Sequence, residues 1–211
     1  MRPGFGQFQV ASEEYLQFAQ QFGATDILFN TPLIPGDGGR WQLHDLVKLR
    51  LRVEQFGMKL SALENVPTNF YDHIMLNGPK RDQQIENMIA TVRNIARAGI
   101  PIFGYNWMPS HVWRTPPVAI RGGALATAFD DNIAKKYPLT HDREYNEEEM
   151  WANLEYWIKI ITPIAEEEGI RLGIHPCDPP VETLGGIPQL LRSFAAYKRL
   201  VEIYPSDSNA I

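Results

Sequence analysis

The chain has 211 residues, 44% hydrophobic and 21% charged, the composition of one globular domain. Its formal net charge is −5 and no block of Lys or Arg stands out, so the basic footprint of a nucleic-acid binder is absent. The single cysteine, Cys177, excludes an internal disulfide, Met1-Arg2-Pro3-Gly4 lacks the apolar core of a secretory leader, and no run approaches the ~20 apolar residues that span a bilayer. The expectation is a cytoplasmic protein with no membrane partner.

In chain order, the first strand is expected at 7–10. Ser12 before Glu13-Glu14 reads as a helix N-cap with an acidic first turn. A unit then recurs: an amphipathic helix ends in glycine and a β-rich run follows at once. Phe22-Gly23 leads into a strand at 26–30, Phe56-Gly57 into 59–65, Ala98-Gly99 into 100–106, and Glu168-Gly169 into 170–175. Glycine suits these positions because a helix C-cap often needs a left-handed residue. The helices between carry apolar residues in steps of three and four: Leu46, Leu49, Val53 and Phe56; Ile85, Met88, Val92 and Ile95; Trp151, Leu154, Ile158, Ile161 and Ala165. Asn146 with Glu149 resembles a capping box. Leu190, Phe194, Tyr197 and Val201 form the last stripe, with Pro188 expected in its first turn, and a sixth strand starts at 209–211. Residues 108–146 break the rhythm with Pro109, Pro116, Pro117, Gly122, Gly123 and Pro138, and read as a long loop or lid.

Strands alternating with helices predict a parallel α/β fold of the TIM (β/α)8-barrel type. A closed barrel takes about 250 residues. The first five to six units are therefore expected here, as a single domain over 1–211.

Ligands of such folds meet the carboxyl ends of the strands. Those ends carry Asn30, Glu64-Asn65, Tyr105-Asn106 and His175, each following an apolar run. His175 can offer an imidazole nitrogen to a metal or shuttle a proton; the structural alternative is a buried histidine satisfied by a carbonyl. Glu64 can serve as general base or metal carboxylate, or as an N–H acceptor that holds the loop at Pro67. Asn30, Tyr105 and Asn106 can hydrogen-bond a polyol or carboxylate, Tyr105 alternatively packing at the rim. His111, among Trp107, Trp113 and Arg114, can contact an anionic substrate from the lid. Cys177 and Asp178 stand behind this set, Cys177 as a small half-buried residue, and His44, His73 and His141 read as solvated. Dinucleotide-binding, P-loop, G-x-S-x-G and C-x-x-C motifs are absent.

Ile174-His175-Pro176-Cys177-Asp178-Pro179-Pro180 resembles the I-H-P-D-D-P-P signature of mannonate dehydratases. Tyr105-Asn106-Trp107-Met108-Pro109 is similar to their Y-N-F-M-P, and Glu64-Asn65-Val66-Pro67 to their E-S-[IV]-P. The resemblance implies a xylose-isomerase-like barrel that dehydrates D-mannonate to 2-keto-3-deoxy-D-gluconate with a divalent metal, Mn2+ or Fe2+, His175 being one ligand. It implies a small-molecule sugar acid as the binding partner, in a chain expected to form a homo-oligomer. Three positions depart from the family. Its His-His-Ile-Pro stretch is replaced by Pro32-Leu33-Ile34-Pro35, a histidine by Asn69, and one aspartate by Cys177. These fit a divergent relative acting on another sugar acid or polyol. A sugar isomerase or epimerase of the same barrel, and a truncated non-catalytic paralogue that binds a sugar acid or partner subunit, remain the alternatives.

Overall fold

A computed structural model describes residues 1–211. Six strands form one parallel sheet: β1 (Gly4–Phe8), β2 (Asp26–Asn30), β3 (Lys59–Glu64), β4 (Ile102–Tyr105), β7 (Arg171–Ile174) and β10 (Asn209–Ala210). They neighbour one another in chain order and every pairing is parallel. This is the strand sequence of a β/α barrel, present as an open arc with β1 and β10 at its edges. The intervening helices are α1 (Glu13–Gln21), α2 (Leu43–Glu54), α3 (Asp72–Met75), α4 (Arg81–Arg97), α5 (Asp131–Ala134), α6 (Glu147–Glu168) and α7 (Phe194–Ile203).

The core lies between sheet and helices. Ile27, Phe29, Leu63, Phe103, Leu172 and Ile174 point outward from the strands and meet Leu46, Val53, Val92, Ile95, Leu154 and Ile158 of the helical stripes, all 3% exposed or less. The opposite, concave face carries two rungs: Leu28 beside Ala62 and Ile102, and, two residues further along, Asn30 beside Glu64, Gly104 and Gly173. Gly23, Gly57, Gly99 and Gly169 all have positive φ, as the helix-glycine-strand unit requires. Ser12 accepts from the Tyr15 N–H and Asn146 from the Glu149 N–H. The Asn146 backbone N–H in turn faces the Glu149 carboxylate, which also pairs with Arg143.

The first strand begins three residues before its expected place. Its apolar face is set by Phe5 and Phe8 around a bulge at Gln7, which no alternation rule reveals. Pro188 is not in the last helix. It lies in the short ribbon of β8 (Thr183–Leu184) and β9 (Ile187–Pro188), and Ser193 caps α7 through the Ala196 N–H. Residues 108–146 are not structureless. They hold an antiparallel ribbon of β5 (Thr115–Ala119) and β6 (Leu125–Ala128), then α5. Pro116 and Pro117 are tolerated because a two-stranded ribbon leaves outward N–H positions unpaired. No helix is long and apolar enough to cross a membrane.

Candidate functional site

Side chains alternate across a strand, so every second residue shares a face. Asn30 and Glu64 are register partners on the concave face at the carboxyl ends of β2 and β3, and Asn106 and His175 directly follow β4 and β7, two residues beyond Gly104 and Gly173 of the same rung. The ladder continues past the strands: the Thr31 N–H donates to the Glu64 carbonyl at 2.7 Å, Asn65 to Gly104 at 2.7 Å, and His175 to Tyr105 at 2.7 Å. Thr31 and Asn65 sit at φ 45° and 61°, left-handed values that non-glycine residues rarely adopt and that mark the strand mouth as locally strained.

Tyr105 is out of phase with this set. Its ring is 2% exposed and packs edge-on to Trp157 of α6 at 6.1 Å, and burial raises its phenol pKa. It is a packing residue, because adjacent strand residues cannot face the same side.

Two bulges bring further polar groups inward. Gln7, the extra residue of β1 at φ 68°, reaches across β2 so that its Nε2 donates to Glu64 Oε2 at 3.3 Å. Ser61, the extra residue of β3, bonds Asp26 at the opposite end of the sheet, where Thr25 Oγ1 also donates at 2.7 Å and Arg2 pairs at 3.0 Å. The Ser61 hydroxyl is the largest of the influences that hold the Asp26 carboxyl below its ordinary value. Gln7 escapes sequence reading because only the register shift turns it inward.

Three amides link the tips of β2, β3 and β4. Asn106 Nδ2 donates to Asn65 Oδ1 at 2.8 Å, and Asn65 Nδ2 to Asn30 Oδ1 at 3.3 Å. His175 is exposed, and its Nδ1 lies 2.6 Å from the Pro176 carbonyl. A carbonyl only accepts, so Nδ1 is the donor, which in the neutral ring leaves Nε2 its lone pair. That is the form a metal ligand takes. No group of three or more His, Cys, Asp or Glu side chains stands close enough to hold a metal ion, however. One imidazole falls short of the three or four protein ligands of a stable transition-metal site.

Behind the mouth, Cys177 is 4% exposed, its Sγ accepts from the Leu191 N–H at 3.3 Å, and burial pushes its thiol up to about 11. Asp178 is engaged by Arg114 in a two-pronged pair at 2.7 and 3.0 Å, which ties residues 108–146 to the segment after β7. His111 is exposed, with Nδ1 3.5 Å from Thr68 Oγ1 of the loop after β3. Of the histidines read as solvated, His44 is exposed, whereas His73 and His141 are half-buried. His141 lies 2.9 Å from Thr140 Oγ1, and burial lowers its pKa.

A cavity of 410 Å3 runs along the sheet from Asp26 and Ser61 to Gln7 and Glu64, and one of 420 Å3 beside it is lined by Gln7, Tyr15 and Asn30. A larger one of 580 Å3 is lined by Asp131, Lys135, Tyr137, Glu144 and Glu182 and includes no residue of the six-stranded parallel sheet. The convergent polar groups single out the mouth rather than the larger space.

A sequence profile of D-mannonate dehydratase (UxuA) matches residues 5–137 and 124–211. Mannonate dehydratase of Streptococcus agalactiae serotype Ia is 33% identical over 227 residues, covering 96% of this chain and 63% of that protein. The crystal structure of mannonate dehydratase from Streptococcus suis serotype 2 superposes with a TM-score of 0.84 at 31% identity, over 100% of this chain and 62% of that one. This chain thus spans about three fifths of the length of the relatives it matches. A D-psicose 3-epimerase superposes with a TM-score of 0.61 at 15% identity, a likeness of fold alone.

Proposed function

The chain belongs to the D-mannonate dehydratase family, and from that premise we propose that its strand mouth binds a sugar acid and serves the dehydration of D-mannonate, or a related aldonate, to a 2-keto-3-deoxy acid. What supports this reading is that Asn30, Glu64, Asn106 and His175 all stand at, or directly after, the carboxyl ends of four parallel strands, Asn30 beside Glu64 on the concave face. Dehydration breaks C2–H and C3–O, releases water and leaves an enol that becomes the 2-ketone. It needs a group to take the C2 proton, donors to hold the carboxylate, and a group to assist the departing hydroxyl. Glu64, partnered only by Gln7 among side chains, has the free carboxylate oxygen to accept a proton. The amides of Asn30 and Asn106, with His111 from the loop above, have the chemistry to hold carboxylate and hydroxyl oxygens.

A divalent ion, manganese or iron, is part of the proposal, with His175 Nε2 as the one protein ligand these residues supply. Self-association and a cytoplasmic location belong to it as well. The test is incubation with D-mannonate and Mn2+, the products being read by NMR and by a colour assay for 2-keto-3-deoxy acids. Formation of that acid, lost in Glu64→Gln, supports the reading. A 2- or 3-epimer without dehydration would replace it with the epimerase alternative, and no turnover together with no binding of D-mannonate would overturn it.

A further inference from the structure

The three-amide relay has a direction, and one backbone group sets it. The Met108 N–H donates to Asn106 Oδ1 at 3.1 Å. An N–H meets only an acceptor, so Asn106 must turn its oxygen to Met108 and its NH2 to Asn65. Asn65 must then give its oxygen to Asn106 and its own NH2 to Asn30. Asn30 Oδ1 thereby receives Asn65 Nδ2, and it lies 3.0 Å from the Thr31 hydroxyl as well. With its oxygen committed, Asn30 is left with its NH2 unpartnered in the half-buried mouth. Asn65 can occupy the middle because its φ of 61° suits asparagine, aspartate or glycine and few other residues.

We propose that Asn65 is a positioning residue that fixes Asn30 as a hydrogen-bond donor at the mouth, so that the site selects an acceptor oxygen, the carboxylate of the substrate. The claim about selection rests on the sugar-acid reading above; the claim about the relay does not. A site built as a donor holds a carboxylate, which accepts only, and gives a neutral polyol hydroxyl no comparable advantage.

Asn65→Asp tests it while keeping a residue suited to the backbone. The new carboxylate still accepts from Asn106 but no longer donates to Asn30. The Asn30 amide then turns over to give its NH2 to that carboxylate and presents its oxygen to the mouth. The side-chain NH2 resonances of the 211-residue protein read this out by 15N NMR. In the parent protein, D-mannonate shifts the Asn30 pair while the neutral alditol D-mannitol does not. In Asn65→Asp the Asn30 pair moves to a hydrogen-bonded position and no longer responds to D-mannonate, the Asn106 pair stays hydrogen-bonded, and the affinity for D-mannonate falls about 10- to 100-fold. In Asn65→Gly, which keeps the backbone and removes both contacts, the Asn30 and Asn106 pairs both change, and this uncharged variant stands in if the aspartate variant does not fold. A merely structural role for Asn65 would release both pairs to a free position in Asn65→Asp or leave the Asn30 pair unbonded, and either result overturns the relay. A relay that behaves as described in a protein that D-mannonate does not perturb overturns the sugar-acid reading and with it the selection claim.

Discussion

Gln84 of α4 braces the loop that follows β3, and Gln84→Met isolates what that brace contributes. The side chain is 7% exposed. Its Oε1 accepts from the Ile74 N–H at 3.2 Å, and its Nε2 donates to the Asn69 carbonyl at 3.0 Å and to Asp72 Oδ1 at 2.6 Å. Methionine keeps the volume and removes all three bonds, so cavity formation does not confuse the result. Two neutral bonds at about 1 kcal/mol each, and one to a half-buried carboxylate at about 1.5 kcal/mol, give a loss of about 3–4 kcal/mol. For a domain of this size that lowers Tm by roughly 6–15 °C. Urea denaturation at pH 7 is the assay, with the midpoint falling and the slope unchanged. A loss below about 1 kcal/mol would refute the reasoning, since it would mean that the loop finds other partners for these groups.

Other outcomes follow from the same structure. Cys177 should resist thiol reagents in the folded protein and react on unfolding. Its raised thiol pKa contributes stability that is fully present below the ordinary thiol value and lost as pH climbs through about 11; Cys177→Ser should flatten that alkaline limb in a pH series of unfolding. Asp26, held below its ordinary value first by Ser61, contributes stability present above pH ~4 and lost as pH falls through its lower folded value, so Asp26→Asn should reduce the acid dependence. Arg114→Ala should speed proteolysis within 108–146 while changing global stability by less than about 1 kcal/mol, because the pair with Asp178 is 41% exposed on each side. Manganese bound to the purified protein, measured by elemental analysis, should be far below one equivalent and should fall further in His175→Ala; one full equivalent unaffected by the substitution would place the metal elsewhere.

Much of the fold was legible because its signals are local. Gly23, Gly57, Gly99 and Gly169 each end a helix with positive φ and place a strand directly after, so four of the six parallel strands declare themselves. What stayed hidden depends on register and on distant partners. The bulge at Gln7 is invisible to alternation, and with it the contact to Glu64. The prolines at 116 and 117 argue for loop, yet an antiparallel ribbon forms because its partner strand lies only six residues on. Leu190 fits the last helical stripe but is buried before Ser193 starts the helix. At the site, Asn30, Glu64, Asn106 and His175 were readable as strand ends. The packing alternative for Tyr105 was readable too, because period-two alternation separates it from Asn106.

The most direct test of the account is a map of backbone amide shifts as D-mannonate is titrated into the 211-residue protein. The account predicts saturable shifts clustered at residues 30–31, 64–65, 104–106 and 175, four stretches far apart in sequence that meet only at the carboxyl ends of the sheet. Shifts confined to the cavity around Asp131, Lys135 and Glu182, or none that saturate, would contradict it.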